Sequence, residues 1–442
     1  MFISRVACVV LLISLSVHLS AAQATLLDCL NATNATVIDQ SSPAYSTQRL
    51  VANQRINRTP AAIALPNSAQ AVSEIVLCCR KFNVSAVPRS GGHSYEGYSV
   101  ADNSVVVDMT QGFNFYEPQG DTTAWAGSGI RLGSLYYEAW KEGGEVFPGG
   151  TCPDVGLSGL LLGAKGGGGG NFGIVTRMHL QMYPQPNTTT LIYLEWPASE
   201  AVQVMQLWQA WAPTAPDAMT SNLQMAQYGV QMHGLYSGPM SEANALLQAS
   251  GLLNVSGIQY KQYNEQPFIQ SALDFGAETT GISTSSPINL MLGPNVTEWH
   301  NSWKAGSYDV PTALNSTVLN LMQQAVNQNS NGWIQFSAYG GQISRVPSTA
   351  SAYAGRYSLY NIQYSIGWQN PSDTQPSMAW FAQLQQTLNP YMVNSAYVNY
   401  IDNSLQNWET AYYGDNLQRL QTVKQTWDPT NFWNNPQTIP LP

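Results

Sequence analysis

Two short stretches hold the side chains best suited to chemistry. PRSGGHSYEGYS, residues 88–99, sets His93 directly behind a pair of glycines, and GGTCPDVGLSG, residues 149–159, sets Cys152 in a Pro/Gly-rich turn. The chain has only 5 His, so a histidine-rich metal site is not expected, and a lone histidine is usually structural. What singles out His93 is its setting. Ser90, Gly91, Gly92 and Ser94 are small enough for the backbone to form a nest of N–H donors that accepts an anion.

Cys152 is set apart by elimination. Cys8 falls in the N-terminal leader described below, which leaves Cys29, Cys78, Cys79 and Cys152. In SAQAVSEIVLCCRKF the residues Val72, Ile75, Val76 and Cys79 recur at helical spacing, which puts Cys79 on a buried stripe and Cys78 to its side. We expect a Cys29–Cys78 disulfide and an inert core thiol at Cys79. A cysteine outside that pairing needs a chemical reason.

The run GGGGGNFG offers a third candidate. Gly168, Gly170 and Gly173 formally match G-x-G-x-x-G, but a dinucleotide fingerprint must follow a strand and open a helix. IVTRMHLQMY follows instead, β-branched at its start and alternating, so a strand is expected. No G-x-x-x-x-G-K-[ST] is present either. Neither nucleotide-loop reading survives its context.

The chain that must position these groups has 442 residues, long enough for two domains. Hydrophobic residues make up 44% and charged residues 10%, against about 25% charged in ordinary soluble domains. A net charge of -9 without basic clusters argues against nucleic acid and anionic membranes as partners. Residues 1–22 read as a signal peptide: Arg5, an apolar run from Val6, then Ser20 and Ala22 at a cleavage pattern. Ser14, Ser16 and His18 break that run before it could span a bilayer. Sequons at Asn31, Asn34, Asn57, Asn83, Asn187, Asn254, Asn295 and Asn315 agree with a secreted glycoprotein.

Residues 59–110 alternate helix and strand, and GIRLGSLYYEAWKEGG reads as a further helix. From Thr188 the texture changes to strong strand alternation. In YNIQYSIGW the residues Tyr360, Ile362, Tyr364, Ile366 and Trp368 share one face, with Asn361, Gln363 and Ser365 on the other. In WIQFSAYGG, Gln335 and Ser337 share a face. Such strands fit a sheet packed on helices, its second face lining a polar site or meeting water.

Taken in order, PRSGGHSYEGYS, GGTCPDVGLSG, GGGGGNFGIVT, AYVNYID and YYGDNLQRLQTVKQTWDP resemble the berberine-bridge-enzyme-like family of flavoprotein oxidases, and within it the secreted oligosaccharide oxidases. The resemblance implies an α+β fold: a two-part PCMH-type FAD-binding domain over 23–185, a substrate domain over 186–400 whose antiparallel sheet is backed by helices, and a returning segment over 401–442. It implies FAD held by two covalent bonds, His93 to the 8α-methyl and Cys152 to C6. Ser90, Gly91, Gly92, Ser94, Val155, Gly156, Gly159 and Asn399 would line the cofactor. Tyr400 would take a proton from the substrate hydroxyl, with Tyr95, Gln363 and Gln335 at the substrate. Ser337 stands where the sugar oxidases carry an aspartate beside the base. The expected activity is oxidation of a carbohydrate or other alcohol with dioxygen reduced to hydrogen peroxide, by a monomer. Two other readings are open: a flavin-free glycan-binding glycoprotein, and an oxidase of secondary metabolites.

One departure stands out. Relatives carry several dozen residues between the cysteine block and the glycine run, whereas here LLLGAK meets GGGGG directly, near 163–166. We expect the loss of sheet strands there to leave an open edge and exposed apolar surface in the FAD domain.

Overall fold

The computed structural model describes residues 25–120, 122–164, 167–280 and 301–442. The expected leader at 1–22, the junction residues 165–166 and the sequon at Asn295 lie outside them.

Three groups of strands follow one another along the chain. The first is a four-stranded sheet of β1 (Ala35–Asp39), β2 (Ala62–Pro66), β3 (Ala86–Arg89) and β4 (Val105–Asp108), in the order β1-β2-β4-β3. Only β1 is antiparallel to its neighbour; β2, β4 and β3 run parallel. Between β2 and β3 the helix Ala69–Lys81 crosses over, started by Ser68, whose hydroxyl accepts from Ala71 N at 3.2 Å. Val72, Ile75 and Cys79 face inward as their spacing requires. Cys29 and Cys78 form the expected disulfide, with Cα atoms 5.8 Å apart across a separation of 49 residues. A loop of that size confers about 4 kcal/mol in the chain-entropy account. Burial pushes the Cys79 thiol up to about 12, so it stays protonated and inert.

The second group is smaller. Strands β5 (Tyr116–Pro118), β6 (Thr123–Gly127) and β8 (Arg177–Gln181) form a sheet in the order β5-β6-β8, and β7 (Glu145–Val146) pairs with β9 (Tyr183–Pro184). The glycine run leads into β8 and opens no helix. Gly167, Gly169 and Gly170 adopt positive φ, the conformation that favours glycine. The expected open edge is present: among the described residues, β8 pairs with β6 on one side and with nothing on the other.

The expected apolar exposure needs correction. The helix Phe268–Thr280 lays Ile269, Ala272 and Leu273 on the cluster of Ile130, Leu132, Leu157 and Leu180, with Leu273 itself buried. A segment from the middle of the chain covers surface that would otherwise meet water.

The third group is one antiparallel sheet of seven strands. It contains β10 (Thr189–Pro197), β11 (Met219–Ala226), β12 (Gly229–Tyr236), β13 (Tyr260–Gln266), β14 (Ser302–Val310), β15 (Gly332–Ala338) and β16 (Tyr360–Trp368). Their order is β13-β10-β12-β11-β15-β16-β14. The helices Ala201–Trp211, Ser316–Asn327 and Thr374–Leu388 back one face, burying Trp196, Trp208, Phe336, Tyr360, Tyr364 and Phe381 in a single core. The alternation read in YNIQYSIGW holds: all five bulky residues of that strand are in this core. Among the described residues no helix is long and apolar enough to cross a membrane.

Candidate active site

The open face of the seven-stranded sheet carries two polar rows. Register places Gln224, Gln335, Gln363 and Ser307 side by side on β11, β15, β16 and β14. One step along, Asn222, Ser337, Asn361 and Asp309 form the second row. Side chains directly opposite across antiparallel strands point the same way, so each row is a strip on one surface.

Tyr95 and Tyr400 stand over this face. Gln363 Nε2 donates to Tyr95 Oη at 2.7 Å. The Tyr95 and Tyr400 rings lie nearly parallel, 10° between planes and 5.7 Å between centroids, and Tyr397 meets Tyr400 edge-on at 5.2 Å. Tyr400 belongs to the one-turn 3-10 segment Val398–Tyr400. Cys152 is close enough for its charge to register at both phenols. Of the residues expected at a site, Tyr95, Gln363, Tyr400 and Cys152 therefore converge.

Ser337 and Gln335 do not join them directly. Gln335 Nε2 donates to Ser337 Oγ at 3.4 Å, and among the described residues no hydrogen bond links Ser337 to Tyr400. Ser337 is one member of the second row, separated from the tyrosines by β16. Asn399 sits where the two segments meet. Its amide donates to Leu160 O at 3.1 Å and to Tyr397 Oη at 2.8 Å, so it anchors the helix Leu157–Ala164 against the Tyr400 segment. Gly163 allows this approach, because a Cβ there would overlap the Asn399 side chain.

The loops from the first lobe meet backbone to backbone. A Cβ on Gly91 would fall 2.3 Å from Gly156 N, and one on Gly156 would fall 2.3 Å from Gly91 N. Only glycine fits at either place. Ser90 and Ser158 both donate to Ser128 O, at 2.8 and 2.6 Å, fixing the two loops to a common carbonyl. The Val155 carbonyl accepts from Leu132 N at 3.0 Å. Ser94 Oγ accepts from Tyr98 N at 3.0 Å. Among the described residues no acceptor engages the backbone N–H groups of Gly91, Gly92, His93, Ser94 or Tyr95. Open space lies off Gly159. A run of unengaged donors suits an anionic ligand.

Several site residues left no signal in the sequence motifs. Asp154 follows Cys152 by two, and its carboxylate Oδ2 lies 3.3 Å from His93 Nε2. Asp309 accepts from Asn361 Nδ2 and Ser395 Oγ, each at 2.8 Å. Burial pushes its carboxyl up to about 6 against those two bonds. Gly355 leaves it room: a Cβ there would come 2.3 Å from Asp309 Oδ2 and 2.7 Å from Tyr353 Oη. Lys304 is fully buried and bonds Glu96 and Asp402, each next to or near a site tyrosine in sequence, as well as Asn403 Oδ1 at 2.9 Å. Asn53 clasps the carbonyls of Tyr95 and Trp303 at 3.0 and 2.9 Å.

The Tyr400 phenol is pushed well up by burial, with the charges of Tyr397 and Cys152 adding to it. Tyr95 is raised by burial too, then by Tyr400. No cation contributes at either. In this protein-only setting both phenols are protonated across the neutral range.

Known proteins share this fold. The family described as "FAD binding domain" matches residues 60–183, and that described as "Berberine and berberine like" matches residues 396–440. An uncharacterized FAD-linked oxidoreductase, YgaK of Bacillus subtilis, is 26% identical over 454 aligned positions, covering 91% of this chain and 96% of the relative. The aligned length exceeds the part of this chain that enters it, so the relative carries residues with no counterpart here. The FAD-linked oxidoreductase pynB of Aspergillus niger is 27% identical, covering 92% of this chain and 89% of the relative. Among solved structures, Physcomitrella patens BBE-like 1 superposes with a TM-score of 0.88 at 28% identity, over 95% of this chain and 100% of that one. Phl p 4, a grass pollen allergen with glucose dehydrogenase activity, gives 0.85 at 25% over 95% and 100%. With two matched domains at the site's own loops and a shared fold end to end, the chain carries the FAD-binding and berberine-like domains, is similar throughout to the berberine-bridge-enzyme-like family, and is an FAD-dependent oxidoreductase.

Proposed function

We propose that the protein is a secreted glycoprotein that oxidises a carbohydrate or other alcohol, with FAD attached through His93 and Cys152 and dioxygen as electron acceptor. The observation that carries this reading is the meeting of Tyr95, Tyr400, Gln363 and Cys152 beside the unengaged N–H groups of Gly91–Tyr95. The nest would take the pyrophosphate, and His93 and Cys152 stand on the two loops that hold each other at Gly91 and Gly156. Bound FAD would supply a hydride acceptor that can pass two electrons to dioxygen.

The chain's own residues do the rest. The Tyr400 oxygen would take the proton of the substrate hydroxyl as hydride leaves the same carbon. Gln363, through its bond to the Tyr95 hydroxyl, fixes the ring against which Tyr400 stacks. The amide rows offer donors and acceptors at close spacing, which suits a ligand rich in hydroxyl groups. A relative of the same fold is named for glucose dehydrogenase activity, in keeping with a sugar substrate. Secretion is supported by the leader and by the sequons: all seven asparagines among the described residues, Asn31, Asn34, Asn57, Asn83, Asn187, Asn254 and Asn315, are exposed.

The test is direct. Purified protein precipitated with acid should keep yellow flavin absorbance in the pellet, and native protein should release hydrogen peroxide with some member of a panel of mono- and oligosaccharides. A colourless native protein that binds glycans favours the flavin-free reading. A yellow protein silent toward sugars, both with dioxygen and with a dye acceptor, favours oxidation of a metabolite.

A further inference from the structure

Of the polar groups around the two loops, His93 and Asp154 are the pair with nothing else to do. His93 Nε2 lies 3.3 Å from Asp154 Oδ2, and both side chains are largely buried. The approach is close but off-line. His93 Nε2 and both carboxylate oxygens of Asp154 are buried without a hydrogen-bond partner among the described residues. Arg131, the nearest cation, spends Nη1 on the Asp154 backbone carbonyl at 2.8 Å and leaves the carboxylate alone. Keeping a carboxylate buried and unbonded costs free energy, which is offset only if it acts on a group brought beside it. The loops that carry the two residues meet backbone to backbone at Gly91 and Gly156.

We infer that Asp154 is the positioning residue for flavin attachment at His93: its carboxylate holds the Nε2 proton, leaving the lone pair on Nδ1 to form the bond. This rests on the covalent reading of the cofactor proposed above. The nitrogen of an imidazole that faces a carboxylate keeps its hydrogen, and the other is left as the nucleophile or ligand. The step balances. Nδ1 supplies the electron pair of the new bond to the 8α-methyl carbon. That carbon loses one hydrogen as a proton, and the electron pair of the broken C–H bond passes into the flavin ring system. Dioxygen then takes up the two electrons, the proton released from that carbon and one more from solvent, leaving as hydrogen peroxide. The ring left behind is an imidazolium, substituted at Nδ1 and protonated at Nε2, and its positive charge faces the Asp154 carboxylate. Burial works against the charge on Asp154, yet the approach of His93 and then the charge of Arg131 keep its carboxyl below the ordinary value, so an anion stands ready for that cation.

The experiment isolates His93 by removing the second attachment point. In Cys152→Ala protein, flavin in an acid-precipitated pellet, and the mass of the peptide containing His93, report attachment at His93 alone. We expect Cys152→Ala to be labelled. Adding Asp154→Ala should cut the labelled fraction at least tenfold while the native protein stays yellow with dissociable FAD, which shows that the fold and the cradle persist. Asp154→Asn, which can still accept from Nε2 but carries no charge, should fall between the two and serves if the alanine variant does not fold. Equal labelling with and without Asp154 overturns the inference and leaves the covalent reading intact, as does labelled wild type with unlabelled Cys152→Ala. A wild-type pellet without flavin overturns the covalent reading itself, and this inference with it.

Discussion

The two lobes solve the problem of holding polar groups in opposite ways. In the seven-stranded sheet, strands of seven to nine residues bury one aromatic-rich core on a single face and display amide rows on the other. In the flavin lobe the strands are shorter, the sheets smaller, and β8 ends on an open edge. The cores there are modest clusters, and one borrows Leu273 from a helix that follows the large sheet's first strands. The loops that matter keep five backbone N–H groups and a buried His–Asp pair unengaged. The difference teaches where each region draws its order: the sheet from its own packing, the flavin lobe from disulfide, borrowed helix, cross-lobe contacts and the ligand it is built to hold.

The sharpest way to separate platform from chemistry is Tyr400→Phe. The ring, its stacking on Tyr95 and its contact with Tyr397 all survive, and only the hydroxyl proposed as proton acceptor is lost. We expect kcat to fall about 100- to 10,000-fold with flavin content unchanged. Because burial holds the phenol protonated at neutral pH, the wild-type rate should climb as pH rises into the alkaline range, and the variant should lose that limb. Steady-state kinetics across pH on both proteins check this. An unchanged rate would shift the chemistry away from this tyrosine.

The joint between the lobes is next in size. Lys304 starts on β14 of the large sheet and neutralises Glu96 beside Tyr95 and Asp402 beyond Tyr400. Lys304→Met would leave Asp402 buried without its cation and Glu96 with Arg55 alone, and removing one partner of a buried pair costs about 3–5 kcal/mol. Urea unfolding at pH 7 measures it. A loss below 1 kcal/mol would mean that the lobes hold together without this cluster. Flavin removal bears on the same comparison from the other side. At free FAD one hundred times its dissociation constant the folded state gains about 2.7 kcal/mol. We expect hydrogen exchange in a flavin-free Cys152→Ala/His93→Ala variant to be faster throughout Gly91–Tyr95 and β8 than when FAD is added back, with β16 unaffected. Equal gains in both lobes would break the distinction drawn between them.

How much of this is legible in the sequence follows from the range of each interaction. Strand faces are local, so the inward Tyr360, Ile362 and Tyr364 and the outward Gln363 are readable from period two alone. The helix that buries Cys79 and frees Cys78 for its disulfide is local as well. Tyr400 is different: nothing in its own segment marks it, and only the motif around it does. The second polar row is not legible, because strand register sets Asp309 beside Asn361 and Asn361 beside Ser337 across long stretches of chain. The reading that fixed on Ser337 as the weak substitute for a carboxylate thus passed over a buried carboxylate in the same row. The partners of Lys304 come from residues 96 and 402, and the helix that packs on Leu157 and Leu180 comes from 268–280, so neither could be placed from composition or period.

That second row gives the smallest effect and the one with the clearest sign. Asp309 has an ordinary carboxyl value of 3.8 when unfolded and is pushed up to about 6 by burial in the folded chain. Well below 3.8 both states carry the proton and the residue costs nothing. Between 4 and 6 the folded state binds more protons than the unfolded one, so stability falls as pH rises. Above 6 the cost of the buried charge is fully present. Asp309→Asn removes the charge while an amide can still meet Asn361 and Ser395. The difference between variant and wild type should be near zero at pH 3, grow through the interval, and level off above pH 7 at up to about 3 kcal/mol in favour of the variant. Every other titrating group cancels in that difference. If instead the variant is the less stable protein at pH 8, the Asp309 carboxylate is compensated in the fold and belongs with the ordered sheet, not with the groups held ready for a ligand.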